Sequence, residues 1–524
     1  MLSKDFRVSP SKGVVVLPYH EAVANLIPNH GILESNGNKF IVVHHKHSET
    51  KLLNNLNVPV PPPVLSQYDW RGSVPFAAQE ATAALLTTNQ RAFVLNSIGT
   101  GKTRAAYFAA DFLMQIGEMK RALIIAPLST LSTVWDRELF EIFPDRTCRV
   151  IHGSYEQRVK ALEEKHDFYI INHDGIKIRK HALARLIAAR DDIDCVVIDE
   201  LTGFKTVGTE RWKAAKKLIA KKKWVWGMTG SPTPQAPTDA FGQIKLITPG
   251  ALPSPYFRVF REMTMREITQ FKWAPRKEAN KIIFDLMQPA VRFTQDDCMD
   301  LPTLTYTTRS CEMTPQQKKA YGQMLTDMAL KFVGGTPITA ANAGVQMSKL
   351  LQIASGFIYG GSAGKVSFDY SNKLKVLKEL IEEADKKVII YCPFKLGVDE
   401  LASLLSQDYD VEKVYGDTQK AARDKIFNLF QYGASPKVLV AHPQVAAHGL
   451  TLTAASLIVW WSPTTSAEIY EQACGRIRRP GQDTKCLIAH VENSAIERKV
   501  YRSLQKKGDV QGELLQMFHD ITHN

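Results

Sequence analysis

The sequence is poor in cysteine, with seven among 524 residues. The cysteines are dispersed, none forms a Cys-x-x-Cys pair, and no cluster of histidines lies beside them. This pattern argues against a zinc site and against a framework of disulfide bonds. It favours a reducing compartment, so the cytoplasm is the expected location.

Long hydrophobic segments are also missing. The longest uncharged stretch of interest, residues 449–467, contains several Thr and Ser residues and Pro463, which makes it a poor membrane span. The first residues, MLSKDFRVSPSKG, lack the apolar core of a secretory signal. We therefore expect no membrane partner.

The composition excludes disorder on a large scale. Apolar residues make up 44% of the chain and charged residues 23%, as in ordinary globular proteins. The length suits about three or four domains of about 150 residues each. Lys and Arg number 66 against 53 Asp and Glu, which gives a formal net charge of +13. This excess favours a polyanionic partner.

Two series of short apolar segments, rich in Val and Ile, run through the chain. The first consists of RAFVLN, RALIIAPL, DFYIIN, CVVIDE and WVWGMTG, and the second of KVIIYCPF, VEKVYG, KVLVAH, SLIVWW and CLIAHV. Such segments, separated by helical stretches, are typical of buried parallel strands joined by crossover helices. The sequence thus predicts an α/β fold with two parallel-sheet lobes.

The domain boundaries are indicated by changes in composition. A proline-rich connector, VPVPPPV, precedes the first lobe, and a stretch with helical spacing and mixed basic and aromatic residues, FRVFREMTMREITQFKWAPRKEANK, lies between the lobes. The predicted domains are a small N-terminal module of unassigned role (1–60), a first lobe (64–250), a helical insertion (251–345), a second lobe (346–500) and a C-terminal helical tail (501–524).

The sharpest local motif is NSIGTGKT at residues 96–103, between the segment RAFVLN and a predicted helix. Glycines in such a loop allow backbone N–H groups to face phosphates at the start of a helix. Lys102 would then bind the β- and γ-phosphates of ATP, and Thr103 would hold Mg²⁺. The candidate nucleotide-binding residues are Gly99, Thr100, Gly101, Lys102 and Thr103. The alternative is a glycine-rich turn without a ligand.

Two adjacent carboxylates, Asp199 and Glu200, follow the apolar segment CVVI. An acidic pair at a strand end, downstream of a phosphate loop, fits a role in hydrolysis. Asp199 would hold Mg²⁺, and Glu200 would polarise the attacking water. The alternative is a pair of solvated acids.

Arginines dominate the segment QACGRIRRPGQ at residues 472–482. Arg476 and Arg479 are three residues apart and would share one face of a helix. Guanidinium groups can stabilise the charge on a γ-phosphate in the transition state. We include Gln472 with Arg476 and Arg479 as candidate catalytic residues. The alternative is a basic surface helix.

These three motifs together resemble those of superfamily-two helicases and translocases, and more narrowly those of the Swi/Snf-type ATPases. Further segments within residues 70–500 are similar to the family's motifs in the same order: PFAAQEATAALL, IIAPLSTLSTVWDREL, MTGSPTPQ, SNKLKVLKELI with VIIYCPF, and HGLTLTAAS. The Gly481-Gln482 ending after the arginines is the most diagnostic feature, because DEAD-box RNA helicases usually lack it. The N-terminal stretch VVVLPYHEAVANLIPN resembles the leader of helicases encoded by tailed bacteriophages.

The resemblance implies two RecA-like lobes and adds site residues. Gln79 would bind the adenine base. The residues that would contact nucleic-acid phosphates are Ser129, Thr130, Thr229, Ser231 and Thr451. Departures from the family pattern occur at Asn96, where glycine is usual, and at Thr202, where histidine is usual. They leave the ATPase chemistry intact but argue against a eukaryotic chromatin remodeller.

The resemblance also implies a function. We expect DNA-stimulated ATP hydrolysis, with Mg²⁺, that drives movement on double-stranded or forked DNA in replication, recombination or repair. Replication or recombination proteins are the expected partners, and the bacterial host cytoplasm is the expected location if the chain is phage-encoded. The alternatives are an RNA helicase, the motor subunit of a restriction or defence complex, and a DNA-binding clamp switched by nucleotide.

Overall fold

The structure is a computed structural model that describes residues 5–72, 74–269, 272–298, 301–333, 340–359, 365–446, 451–479 and 481–505. The described residues divide into two compact units, one ending at Cys298 and the other belonging to the chain from Met299 onward. Each unit contains a parallel β-sheet with helices packed against it. This arrangement confirms the predicted α/β fold with two parallel-sheet lobes.

The N-terminal residues form a small antiparallel sheet with its own core. Its elements are β1 (Arg7–Ser9), β2 (Val14–Pro18), α1 (Glu21–Leu26), β3 (His30–Ser35), β4 (Asn38–His44) and α2 (His47–Asn55). The strand order is β1-β2-β4-β3. Val15 and Leu17 of β2 are buried, and so are Ile41 and Val43 of β4. Burial at every second position is what a sheet with one packed face requires.

The first lobe follows, with strands and helices that largely alternate. Its elements are α3 (Val64–Gln67), α4 (Ala77–Thr88), β5 (Arg91–Val94), α5 (Lys102–Gln115), β6 (Ala122–Ala126), α6 (Arg137–Ile142), β7 (Cys148–Ile151), α7 (Tyr155–Glu163), β8 (Phe168–Asn172), α8 (Ile178–Ala188), β9 (Cys195–Ile198), α9 (Glu210–Ile219), β10 (Trp224–Met228), α10 (Ala240–Ile247), α11 (Phe257–Thr264), β11 (Met265–Thr269), β12 (Lys272–Pro275), α12 (Ala279–Leu286), β13 (Ala290–Val291) and α13 (Gln295–Cys298). The seven-stranded sheet has the order β13-β5-β10-β9-β6-β8-β7, and its pairings are parallel.

Both faces of this sheet are covered, which explains its continuous apolar strands. In β6, Leu123 and Ile125 belong to one core cluster, whereas Ile124 and Ala126 belong to another. A strand that is buried on both faces favours an apolar residue at every position. The predicted strands of this lobe are confirmed as β5, β6, β8, β9 and β10.

The second lobe has a parallel sheet of its own. Its elements are β14 (Leu304–Ser310), α14 (Pro315–Val333), α15 (Ala340–Ala354), β15 (Phe357–Tyr359), β16 (Lys365–Ser367), α16 (Ser371–Glu382), β17 (Lys387–Tyr391), α17 (Lys395–Leu405), β18 (Val411–Val414), α18 (Lys420–Tyr432), β19 (Val438–Ala441), α19 (Pro443–Ala446), β20 (Ala455–Trp460), α20 (Ala467–Cys474), β21 (Cys486–Glu492) and a helix over residues 495–505. The six-stranded sheet has the order β14-β21-β20-β17-β19-β18, again with parallel pairings. The predicted strands of this lobe are confirmed as β17 to β21.

The stretch expected to be a helical insertion, residues 251–345, does not form one helical unit. Phe260 of α11 and Ile283 of α12 lie in the core of the first lobe, and β13 extends that lobe's sheet. An antiparallel hairpin, β11 with β12, lies between these helices, and β14 belongs to the second lobe through its pairing with β21. The two added sheet strands have weak sequence signals, because β13 has only two residues and β14 reads LTYTTRS, which is mostly polar.

Two stretches with sequence predictions lie partly outside the described residues. Of the C-terminal tail (501–524), residues 501–505 continue the helix that begins at residue 495, with Tyr501 and Leu504 in the second lobe's core, and the rest is outside. The first three residues of HGLTLTAAS, 448–450, are outside as well. In the part of the chain that the structure describes, no helix combines the length and the hydropathy that a membrane span needs.

Candidate active site

The phosphate loop connects β5 to α5 in the first lobe. Gly99 and Gly101 have positive φ values of +83° and +75°, which residues with a side chain rarely adopt. The ammonium group of Lys102 donates hydrogen bonds to the carbonyl oxygens of Asn96 (2.8 Å) and Ser97 (3.0 Å). The loop therefore holds a cation against its own backbone at the start of a helix, where an anion is favoured.

The two threonines of the loop have different surroundings. The Thr100 hydroxyl donates to the carbonyl oxygen of Ser97 (2.8 Å), and the Thr100 side chain is buried. Thr103 lies in the first turn of α5 and is partly exposed. Thr103 can therefore offer its hydroxyl to a ligand, whereas the Thr100 side chain closes the loop from within.

Gln79 lies beside the phosphate loop, in the first turn of α4. Its Oε1 accepts a hydrogen bond from the backbone N–H of Phe76 (2.9 Å), and its Nε2 donates to the carbonyl oxygen of Gly101 at 3.5 Å. A Cβ at position 101 would be 2.1 Å from Nε2 of Gln79. Glycine is therefore required there by the neighbouring glutamine as well as by the backbone angle. The structure thus brings Gln79 and the loop together.

Asn96, which stands where the phosphate-loop pattern has glycine, connects the loop to its neighbours. Its side chain is buried and donates to Oγ1 of Thr82 (2.9 Å), while its Oδ1 accepts from the backbone N–H of Phe293 (2.9 Å). These hydrogen bonds tie the start of the loop to α4 and to the residues after β13. The departure from glycine therefore has a structural reason.

Residues 291–295, which carry no recognisable sequence motif, line the loop on its other side. The backbone N–H of Ser97 donates to the carbonyl oxygen of Phe293 (2.8 Å), and the Gln295 amide donates to the carbonyl oxygen of Ile98 (2.7 Å). A two-residue strand followed by a polar turn has little sequence signal. Its place beside the loop follows only from the sheet order.

The acidic pair follows β9, the central strand of the first sheet. Oδ2 of Asp199 accepts a hydrogen bond from Nε1 of Trp135 (3.0 Å), and Oδ1 accepts from the backbone N–H of Glu200 (3.0 Å). Glu200 itself has a φ of +48°. Left-handed backbone of this kind costs about 1–3 kcal/mol in a residue with a side chain and is concentrated at functional sites. The Trp135 hydrogen bond was not predicted.

The surroundings of Asp199 suit a cation. Burial raises the pKa of its carboxyl group, and Lys102, the Trp135 N–H and the Glu200 backbone N–H oppose that rise. Within the described ranges, no three His, Cys, Asp or Glu side chains come together as a metal-binding cluster. Asp199 and Thr103 both offer oxygen ligands, which suits Mg²⁺ because that ion usually keeps phosphate and water oxygens as its other ligands. These residues therefore fit a metal ion that is bound together with a nucleotide.

The arginine segment lies in the second lobe, after α20. Arg476 and Arg479 do not share a helix as predicted, because α20 ends at Cys474 and turns follow. Arg476 is buried and its Nε donates to the carbonyl oxygen of Gln472 (2.9 Å), whereas Arg479 donates to Oγ1 of Thr451 (3.2 Å). Desolvation and the charge of Arg476 both lower the pKa of Arg479. A bound anion would relieve this repulsion.

Two buried glutamines flank the arginines. Gln472 holds Arg476 through its backbone carbonyl oxygen, so its contribution in the structure is to position that arginine. Nε2 of Gln482 donates to the carbonyl oxygens of Ala455 (2.8 Å) and Ile477 (2.9 Å). The Gly-Gln ending therefore joins the start of β20 to the arginine segment.

The residues expected to contact nucleic acid differ in exposure. Thr130 and Thr229 are buried: the Thr130 hydroxyl donates to a carbonyl oxygen of its own turn (3.0 Å), and Oγ1 of Thr229 accepts from the backbone N–H of Ser231 (3.2 Å). Ser129 and Ser231 are partly exposed, and Thr451 is exposed. The serines and Thr451 are therefore better placed to contact a phosphate than the two buried threonines.

Comparisons with family models cover most of the two lobes. The SNF2-related domain matches residues 81–356, and the helicase conserved C-terminal domain matches residues 372–481. The first match includes the phosphate loop and the acidic pair. The second includes the arginine segment up to the glycine that precedes Gln482.

Two relatives and one solved structure are also similar to this chain. Putative protein p41 of Acyrthosiphon pisum secondary endosymbiont phage 1 is 24% identical over 451 residues, which are 82% of this chain and 95% of that protein. SWI/SNF-related matrix-associated actin-dependent regulator of chromatin subfamily A-like protein 1 of Xenopus tropicalis is 23% identical over 473 residues, 87% of this chain but only 46% of that protein. The Sulfolobus solfataricus SWI2/SNF2 ATPase core in complex with dsDNA is 21% identical, covers 88% of this chain and 97% of its own, and has a TM-score of 0.41. The chain thus spans nearly all of the phage protein and about half of the vertebrate one.

Proposed function

Because this chain belongs to the SNF2-related family, we propose that it is a DNA-dependent ATPase that moves along double-stranded or forked DNA. Family membership makes it an ATP-hydrolysing enzyme with a helicase-like motor. The observation that carries the proposal is the placement of Lys102 after β5 and of Asp199 and Glu200 after β9, within one parallel sheet. β10 separates β5 from β9, and the carboxyl ends of parallel strands are where such sheets bind nucleotides.

Five side chains of the first lobe have a role in the proposed ATP hydrolysis. Bound Mg²⁺ would neutralise charge on the phosphates of the substrate, ATP. Lys102 would bind the β- and γ-phosphates, and Thr103 and Asp199 would hold the metal ion. Glu200 orients and polarises the attacking water. Gln79, which packs against the loop, binds the adenine base.

The second lobe supplies positive charge. We assign to Arg476 and Arg479 the stabilisation of the negative charge that develops on the γ-phosphate during hydrolysis. The backbone carbonyl oxygen of Gln472 accepts from the Arg476 guanidinium and positions it, and the Gln482 side chain holds the backbone at Ile477, between the two arginines. Removal of either arginine should therefore slow hydrolysis more than it weakens ATP binding.

Three observations support DNA as the polymer. The formal net charge is +13, the hydroxyl-bearing residues Ser129, Ser231 and Thr451 are exposed or partly exposed, and one relative is named as a regulator of chromatin. Hydroxyl and cationic groups are the usual partners of nucleic-acid phosphates. We assign this activity to replication, recombination or repair, with replication or recombination proteins as partners; the similarity to a phage protein supports a bacterial host's cytoplasm as the location.

The test is steady-state ATP hydrolysis by the full chain. It is measured with Mg²⁺ in the absence of nucleic acid and with single-stranded, double-stranded or forked DNA, or RNA, and Lys102→Ala serves as the blank. Stimulation by double-stranded or forked DNA supports the proposal. Stimulation by single strands alone contradicts movement on duplexes, and a preference for RNA replaces DNA as the polymer. Turnover that persists after metal chelation contradicts the metal assignment.

A further inference from the structure

Trp135 connects a surface turn of the first lobe to the acidic pair. Its indole N–H donates a hydrogen bond of 3.0 Å to Oδ2 of Asp199, and its side chain is completely buried. The Tyr107 hydroxyl donates to the Trp135 carbonyl oxygen (2.7 Å), and the two rings pack edge to face with centroids 5.2 Å apart. Because its ring and its backbone are both held, the indole moves only together with its own turn.

The backbone around Trp135 changes its helical hydrogen-bonding pattern twice. Leu128–Thr130 form a 3₁₀ turn, Leu131–Asp136 form a π-helical turn, and the regular helix α6 follows. We call residues 128–136 the relay segment. Single π-helical turns are rare and occur frequently at functional sites. A segment with such turns can respond to a contact by rearranging its hydrogen bonds without displacing a whole helix.

The two ends of the relay segment have different surroundings. Leu128 is 57% exposed and Ser129 is partly exposed, whereas Trp135 is buried beside the acidic pair. Just beyond the segment, Glu138 of α6 forms an ion pair with Arg104 of α5 (3.5 Å). The buried end is thus connected both to the acidic pair and to the helix that begins at the phosphate loop.

We propose that Trp135 is a positioning residue that couples nucleic-acid contact at the exposed end of the relay segment to the orientation of the Asp199 carboxylate. The inference rests on the proposed function, since it requires DNA at Ser129 and a metal ion at Asp199. Donors on both carboxylate oxygens hold the carboxylate plane in one orientation. If the indole N–H is removed, Oδ1 of Asp199 still accepts from the Glu200 backbone N–H, but Oδ2 of Asp199 loses the bond from Trp135. DNA that shifts the relay segment would therefore change the orientation of Asp199.

The test compares Trp135→Phe with a matched control, Trp226→Phe. Each substitution keeps an aromatic ring in the core and removes one indole N–H. Trp226 of β10 is also completely buried, and its Nε1 donates to the carbonyl oxygen of Asn89 (3.2 Å). Both variants lose one buried hydrogen bond, but only Trp135→Phe loses a bond to the acidic pair.

Kinetics of the full chain with saturating duplex DNA give the first readout. We expect Trp135→Phe to lower kcat about ten-fold, to leave KM for ATP within about two-fold, and to raise the Mg²⁺ concentration for half-maximal activity. Trp226→Phe should keep the wild-type ratio of DNA-stimulated to basal rates. Wild-type stimulation and Mg²⁺ dependence in Trp135→Phe would overturn the inference, and so would equal losses of stimulation in the two variants.

Hydrogen exchange gives a readout that does not depend on turnover. In the wild type, duplex DNA should slow amide exchange in residues 128–136 and in residues 199–204. In Trp135→Phe, it should slow exchange in the first of these ranges only. Slower exchange in both ranges of the variant would overturn the coupling. A wild-type chain that neither binds DNA nor is stimulated by it would instead contradict the proposed function, so the two failures are distinguishable.

Discussion

At the scale of single residues, substitution of Glu200 is expected to separate ATP binding from ATP hydrolysis. Its backbone is held in the left-handed region directly after Asp199. Glu200→Gln keeps the size of the side chain and removes the carboxylate that would polarise water. We expect turnover to fall about 100-fold or more while ATP binding persists. Steady-state hydrolysis and binding of a non-hydrolysable ATP analogue, each with and without DNA, check this.

The same variant distinguishes a motor from a clamp switched by nucleotide. If the wild type hydrolyses ATP and Glu200→Gln does not, hydrolysis depends on this carboxylate as proposed. Wild-type turnover in Glu200→Gln would contradict its assignment. Absence of turnover in the wild type, with nucleotide-dependent DNA binding, would favour the clamp.

Asn96 is expected to stabilise the phosphate loop rather than to bind nucleotide through its side chain. Asn96→Ala removes the N–H that donates to the Thr82 hydroxyl oxygen and the oxygen that accepts from the Phe293 backbone N–H, and both hydrogen bonds are buried. We expect the free energy of unfolding to fall by about 1–3 kcal/mol and ATP to bind more weakly. Urea unfolding and calorimetric ATP titration measure the two effects.

Asn96→Asp is the companion variant for this prediction, compared by stability. It keeps an oxygen that can accept from the Phe293 N–H, but it loses the NH₂ donor to Thr82 and adds a buried carboxylate, which can only lower stability further. An effect smaller than that of Asn96→Ala indicates that the bond to Phe293 contributes. If Asn96→Ala had wild-type stability and ATP affinity, the loop would be stabilised by other contacts.

At the scale of elements, a buried ion pair attaches the helix over residues 495–505 to the second lobe. Nζ of Lys373 on α16 lies 2.6 Å from Oε1 of Glu497, and both side chains have 0% exposure. Lys373→Met leaves the Glu497 carboxylate buried without its cation. We expect a loss of about 3–5 kcal/mol in the free energy of unfolding, measured by urea denaturation.

The double variant Lys373→Met, Glu497→Leu tests the cause of that loss. A buried pair replaced by apolar side chains of similar size is often neutral for stability, because the desolvation of two charges is removed with their attraction. We therefore expect the double variant to recover most of the stability. A double variant as unstable as the single one would show that packing, or the bonds that Oε2 of Glu497 accepts from the Asn493 N–H and the Ser494 hydroxyl, and not the unpaired charge, cause the loss.

At the scale of the whole molecule, a buried imidazole makes the free energy of unfolding depend on pH. His490 on β21 stacks on Tyr501 with ring centroids 4.2 Å apart, and its Nε2 lies 2.7 Å from the Tyr470 hydroxyl. Burial lowers the pKa of His490 from 6.5 to about 4. Between these values the unfolded chain binds the proton and the folded chain does not, so stability falls as the pH falls.

The contribution of neutral His490 to the free energy of unfolding is complete above pH 6.5, its pKa in the unfolded chain. It is lost as the pH falls toward about 4, its pKa in the folded chain. We expect the wild type to lose about 2 kcal/mol between about pH 7 and about pH 5 from this group alone. Urea unfolding of the wild type and of His490→Gln at both pH values isolates the effect, because other groups titrate equally in the two proteins. Identical pH dependence of the two proteins would contradict the prediction.

The two-lobe architecture was predictable from the sequence alone, and so were the main chemical groups of the candidate active site. Strands buried on both faces must be apolar along their whole length, so β6 and β20 were recognisable as short runs. Lys102, Asp199 and Glu200 were recognisable because each motif is contiguous: a glycine-rich loop before a helix, and two acids after a strand. Local steric and electrostatic rules are sufficient for patterns of this kind.

Other features depend on residues that are far apart in the chain. Asn96 and Phe293 are 197 positions apart, and Trp135 and Asp199 are 64 positions apart. No local pattern predicts these hydrogen bonds, because the order of strands in the sheet decides which loops become neighbours. For the same reason, the sequence placed residues 251–345 in one helical insertion, whereas strand pairing assigns β13 to the first sheet and β14 to the second. The sequence by itself determined the chemical groups of the site, and the tertiary structure decided which groups hold them in place, since side-chain hydrogen bonds form only between atoms that the fold brings within about 3 Å.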